Sequence, residues 1–183
     1  MKEITWYGRG GQGAFTASRI LGAAAMFGGF RSLAFPSFGP ERRGAPIRAF
    51  TRISEDGIVD RSVIRENDYI IVLDDTLYDK DLLKSLKKNG RLLINTSRER
   101  DSFDDDRIVA LDISSHAEEI LKRPIVNIGI LGMLAALDRD IGPKEIYKAV
   151  TEYMPARAAD KNIRLFDRIF KTYGGHDNDQ AFS

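Results

Sequence analysis

The sequence predicts an α/β fold, and three observations carry that reading. A glycine-dense turn, Gly8-Arg9-Gly10-Gly11-Gln12-Gly13, follows the apolar run Ile4-Thr5-Trp6-Tyr7 and opens a helical pattern at Ala17, Ile20, Leu21 and Ala24. The run Tyr69-Ile70-Ile71-Val72-Leu73 is apolar throughout and ends at Asp74-Asp75, as a strand buried on both faces of a parallel sheet does. Beyond Pro124, residues 125–137 are apolar on nearly every face and two amphipathic helical patterns follow. Together these describe a Rossmann-like chain: a mostly parallel sheet with flanking helices, right-handed crossovers and a helical C-terminal third.

In chain order, the first strand gives way at the glycine turn to a helix that Gly28-Gly29 stops, and residues 30–35 form a second strand. Residues 35–46 are too rich in proline and glycine for regular structure. Residues 47–53 then alternate in part, with Arg48 and Arg52 pointing outward from a third strand. Leu82, Leu83 and Leu86, set against Lys84, Lys87 and Lys88, predict an amphipathic helix that Asn89-Gly90 closes. Residues 91–95 and 108–111 supply two further short strands, and a short helical stretch carries His116. One helix starts at Pro143 and buries Ile146, Tyr147, Val150 and Met154; another buries Ile163, Phe166, Phe170 and Tyr173. The organisation is a single domain over 1–173 and a polar tail over 174–183, the tail being disordered unless a partner orders it.

Composition narrows the function. A chain of 183 residues with 43% hydrophobic content sustains one well-buried core. Lys plus Arg total 28 against 27 Asp plus Glu, so no global field gathers nucleic acid or an anionic membrane. The absence of cysteine removes disulfides, thiol nucleophiles and the usual ligands of an iron–sulfur cluster. Met1-Lys2-Glu3-Ile4 runs straight into a strand without an apolar signal region, and no segment is long and apolar enough to span a bilayer; the expected location is cytoplasmic.

Gly8, Gly10 and Gly13 match the dinucleotide-type spacing in a strand-turn-helix context, where glycine lets backbone approach a ligand and a helix start attracts anions. Two familiar ligands fit poorly. A nicotinamide site places an acid roughly 20 residues on, at the end of the second strand, but that strand ends Leu33-Ala34-Phe35. A triphosphate loop needs Lys and then Ser or Thr after the last glycine, and Ala14 and Phe15 stand there. The turn is therefore either an anion site of another kind or a packing device.

The loop Phe35-Pro-Ser-Phe-Gly-Pro-Glu-Arg-Arg-Gly-Ala-Pro46 should leave the sheet at the same carboxyl edge as the turn, so both face one site. Arg42 and Arg43 can each present a planar fork to phosphate or carboxylate, on a loop that three prolines stiffen. The alternative is a packing loop in which Glu41 pairs with an arginine and Phe35 and Phe38 fill a protein interface.

These two motifs, with the strand ending Ile71-Val72-Leu73-Asp74 and the following Thr76-Leu77, closely resemble the gamma subunit of 2-oxoacid:ferredoxin oxidoreductases. The Glu41-Arg42-Arg43-Gly44-Ala45-Pro46 wording is similar to members acting on pyruvate and branched-chain ketoacids. The resemblance implies a hetero-oligomer that decarboxylates a 2-oxoacid oxidatively, forms an acyl-coenzyme A and reduces ferredoxin. It implies partner chains of alpha, beta and delta type that carry thiamine diphosphate and iron–sulfur clusters, with no cofactor held by this chain alone. It also implies that this chain, like the middle domain of single-chain relatives, serves coenzyme A access and assembly, with no catalytic residue or metal of its own, no nucleic acid and no membrane. The candidate cofactor-contacting residues are Gly8, Arg9, Gly10, Gly11, Gln12 and Gly13 in the turn, and Ser37, Phe38, Gly39, Arg42 and Arg43 in the loop.

Two other readings stay open: a stand-alone dinucleotide oxidoreductase, and a purely architectural subunit. His116 and His176 lack a second ligand at metal spacing, Ser37 lacks the nucleophile-elbow pattern, and Asp74-Asp75 read as a helix cap.

Overall fold

The computed structural model describes residues 1–37 and 44–174. Its strands are β1 (Lys2–Arg9), β2 (Arg31–Pro36), β3 (Pro46–Ser54), β4 (Asn67–Val72), β5 (Leu86–Asn95) and β6 (Ile108–Leu111), in the spatial order β2-β3-β1-β4-β5-β6. β1, β4, β5 and β6 pair in parallel, whereas β3 is antiparallel to both β1 and β2. Two antiparallel steps leave β2 running in the direction of β1. The chain thus turns one way from β1 to build β2 and β3, then returns to build β4 on the other side, which makes the β1/β4 junction the switch point of the sheet.

The period of two along each strand sorts side chains onto two faces. Ile4, Trp6, Ile71, Leu73, Leu93 and Val109 join one core with α1 (Ala14–Phe27), α2 (Ile113–Leu121), α3 (Gly129–Leu137), α4 (Pro143–Tyr153) and α5 (Ala156–Gly174). Ile70, Val72, Leu92, Ile94 and Ile108 face the other way and pack with Phe103, Leu82 and Leu83. All five α-helices therefore gather on one face, and short 3-10 turns cover the other face over β4, β5 and β6. α3 is almost wholly buried, as its uniform apolarity requires. Gly132 lets α5 reach it, because a Cβ there would stand 2.5 Å from the carbonyl oxygen of Phe166.

Two sequence expectations need correction. Leu82, Leu83 and Leu86 do not share a helix: Lys80–Ser85 is a 3-10 turn that Asp79 caps through the N–H of Asp81, and Leu86 begins β5. Asn89-Gly90 accordingly lies inside β5, where the register shifts between Asn67 and Tyr69 on β4. Gly90 fits that irregularity because a Cβ would come 2.6 Å from the Asn67 carbonyl. Arg52 does not point to solvent; it is 1% exposed. Its Nε meets Glu3 Oε1 at 3.1 Å, and its Nη1 donates to the carbonyls of Asp60 (3.0 Å) and Ser62 (2.7 Å), strapping the segment after β3 to the sheet.

The expected tail lies outside the described residues apart from Gly174, which ends α5. No helix among the described residues is long and apolar enough to cross a membrane.

Candidate functional site

The glycine turn follows β1 at the switch point of the sheet. Gly8 is buried, and a Cβ on it would meet the Ala14 Cβ at 3.2 Å and Leu73 at 3.3 Å. Gly10 extends the pairing of β1 with β3: its N–H donates to Ala45 O (2.9 Å) and its carbonyl accepts from Gly44 N (3.2 Å). Gly11 is exposed. Gly13 ends the turn at φ 78° as the N-cap of α1, with no side-chain cap. A Cβ on Gly13 would stand 2.5 Å from Nδ2 of Asn127, which itself donates to the Gly13 carbonyl at 3.3 Å.

The two polar side chains of the turn are committed within the chain. Gln12 Oε1 accepts from the Arg9 N–H (2.7 Å), and its Nε2 donates to Asp74 Oδ2 (2.9 Å). Arg9 places Nε on the same oxygen (3.2 Å), Nη2 on Thr76 Oγ1 (2.7 Å) and Nη1 on the Gly44 carbonyl (3.1 Å). Asp74 Oδ1 accepts from both the N–H and the hydroxyl of Thr76. Four donors therefore fill the roughly four acceptor sites of one carboxylate. Partial burial pulls the Asp74 carboxyl upward, but the bonds from Thr76 and Gln12 and the Arg9 charge outweigh it and hold the group below the usual carboxylate range.

Asp74 is the residue whose importance sequence reading understates. It does cap the following 3-10 turn, as expected, but it also ties the glycine turn to β4. β2 comes second in sequence and ends without an acid, but the parallel neighbour of β1 is β4, and β4 runs into an acid. That acid is saturated by Arg9, Gln12 and Thr76, so it offers no lone pair to a ribose hydroxyl.

A cleft of about 350 Å³ opens beside the turn at the carboxyl ends of β4, β5 and β6, reached by Gly11, Gln12, Asn95 and Ile125. Three carboxylates line it: Asp74, Asp75 and Asp112. Asp75 Oδ2 accepts from Thr96 Oγ1 at 2.6 Å, and Asp112 caps α2 through Ser115. Burial raises the Asp112 carboxyl, but Ser115 and the nearby His116 bring it below the ordinary value, so it is ionised at neutral pH. An acidic lining repels the diphosphate of coenzyme A, so the cleft does not fit that group.

Ser37 stands just past β2, its N–H bonded to the Arg48 carbonyl at 2.8 Å. Phe38, Gly39, Arg42 and Arg43 lie outside the described residues. The expectation that turn and loop share one edge of the sheet holds at the base of the loop, where Gly44 and Ala45 bond to Arg9 and Gly10. Among the described residues no group of three or more His, Asp or Glu is placed to hold a metal ion.

The pyruvate ferredoxin/flavodoxin oxidoreductase family model matches residues 3–172. This chain belongs to that family. Family members of similar sequence include pyruvate synthase subunit PorC of Methanothermobacter marburgensis, 43% identical over 163 residues, spanning 88% of this chain and 92% of that protein. The pyruvate/ketoisovalerate oxidoreductases common subunit gamma of Thermococcus kodakarensis is 37% identical across 93% of this chain and 96% of its own length. In three dimensions the family fold recurs in the crystal structure of pyruvate oxidoreductase subunit PORC from Thermotoga maritima, with TM-score 0.80 and 33% identity over 93% of this chain and 95% of that one. The expected family and α/β architecture are both borne out.

Proposed function

We propose that the chain is the gamma subunit of a multi-subunit 2-oxoacid:ferredoxin oxidoreductase that converts pyruvate, or a closely related 2-oxoacid, to its acyl-coenzyme A with reduction of ferredoxin. The observation that carries this is the match of the family over nearly the full length, together with relatives of the same size that are named as single subunits. The chain has no cysteine to ligate an iron–sulfur cluster, which agrees with what the family resemblance implies, that the clusters and thiamine diphosphate belong to partner chains of alpha, beta and delta type. A relative named as common to pyruvate and ketoisovalerate oxidoreductases supports placing the choice of 2-oxoacid in those partners too.

The geometry favours an assembly role for the glycine turn over a ligand cradle, because its polar side chains are spent on Asp74 and two of its glycines, Gly8 and Gly13, on close packing. If coenzyme A touches this chain, the groups whose chemistry suits its phosphates are Arg42 and Arg43, on the loop whose base Arg9 and Gly10 hold. The stand-alone dinucleotide enzyme is disfavoured by the saturated Asp74.

Reconstitution tests the reading. Pyruvate- and coenzyme A-dependent ferredoxin reduction should require this chain together with its partners, and dehydrogenase activity in the chain alone would revive the dinucleotide reading. Titrating coenzyme A into the assembled complex calorimetrically separates the two accessory roles: affinity lost in R42A/R43A supports coenzyme contact, and unchanged affinity leaves architecture.

A further inference from the structure

The solvent face of α5 carries Arg157, Lys161, Arg164, Arg168 and Lys171, all exposed. Their spacing of four, three, four and three residues confines them to an arc of about 80° and a length of about 21 Å on an α-helix. Arg168 meets Glu119 of α2 at 3.6 Å in an exposed pair; the other four form no ion pair among the described residues. α5 itself holds two acids: Asp160, exposed and in no ion pair among the described residues, and Asp167, which accepts from the Tyr147 hydroxyl. A chain with a formal charge of +1 thus concentrates five cations on a single helix face.

The composition of this face tells what kind of contact it suits. Lasting subunit interfaces have an apolar centre and few lysines, whereas none of the large exposed apolar side chains of the described residues lies on α5. Charge without apolar anchors gives fast, salt-sensitive and short-lived association. In the proposed reaction one protein partner must arrive and leave at every turnover, the electron carrier.

We infer that the basic face of α5 is a transient docking surface for an acidic electron-carrier protein, which it steers and orients while the electrons leave from centres on partner chains. This rests on the functional reading above. The experiment compares the assembled wild-type complex with K161E/R164E, using an acidic ferredoxin and, separately, a small dye as electron acceptor. The expected result is a KM for ferredoxin raised about tenfold at low ionic strength, a flattened salt dependence, and unchanged dye reduction. The milder K161Q/R164Q should shift KM in the same direction by less, which separates lost charge from lost folding. An unchanged ferredoxin KM in an active complex overturns the docking surface alone. A wild-type complex that reduces no ferredoxin overturns the functional reading, and the docking surface falls with it. Loss of affinity for labelled duplex DNA with ferredoxin KM unaltered would reassign the face to nucleic acid and overturn the inference.

Discussion

Arg9 and Asp74 close on each other across the switch point of the sheet, Nε to Oδ2 at 3.2 Å. The place where open α/β sheets take a ligand is here spanned by an internal hydrogen-bond network, and the same guanidinium reaches the Gly44 carbonyl at the base of the arginine loop. Asp74→Asn replaces one accepting oxygen with a donor, so at least one of Arg9, Gln12 and Thr76 loses its partner. A loss of about 1–3 kcal/mol in urea unfolding is expected. The wild-type carboxyl is held below its unfolded value of about 3.9, so its stabilisation is present above that pH and disappears as pH falls through the lower folded value. The variant should therefore show a flatter acid limb, and an identical limb would contradict the network.

Gly13 is tied to Asn127 by closeness and to φ 78° by the turn. Gly13→Ala should cost at least about 1–2 kcal/mol, because L side chains resist that conformation. Truncating Asn127 as well removes the collision but not the torsional penalty, so G13A/N127A should recover only part of the loss relative to N127A. Full recovery in a thermal melt would show that crowding alone fixes the glycine.

Arg52 is buried beside Glu3 and holds the carbonyls of Asp60 and Ser62. Arg52→Met should cost about 3 kcal/mol, the low end for a broken buried pair because Glu3 keeps Lys87 at 3.2 Å. Amide exchange in residues 55–63 should accelerate more than elsewhere. Uniform protection in those residues would mean the strap is held by other contacts.

Local pattern accounts for what the sequence revealed and for what it concealed. β1, α1, β4 and α4 are legible because apolar period, a glycine turn and a proline at N1 all agree there. Leu82, Leu83 and Leu86 mislead because their spacing also fits a 3-10 turn running into a strand, and the deciding feature is the pairing of Leu86 with Asn67. Arg52 looks solvated until the pairing of β3 with β1 sets Glu3 directly opposite it, 49 residues earlier in the chain. Asp74 reads as a cap because nothing local says that β4, not β2, is the parallel neighbour of β1. Site residues set by cross-strand neighbours are the ones a linear pattern cannot report.

Tyr147 is pushed up to about 12 by burial and by its bond to Asp167. Its neutral form is favoured in the fold, so the associated stability is complete below the unfolded value of about 10 and fades as pH rises through 12. Tyr147→Phe should reduce the slope of stability between those two pH values; an unchanged slope in alkaline denaturation would remove Tyr147 as its source.

Purifying this chain under native conditions, with every co-eluting polypeptide identified, tests the central claim most directly. A gamma subunit should bring with it a thiamine diphosphate-binding chain and a cluster-bearing chain, in a complex that reduces ferredoxin with pyruvate. A homodimer eluting alone, with neither partner, would contradict the account.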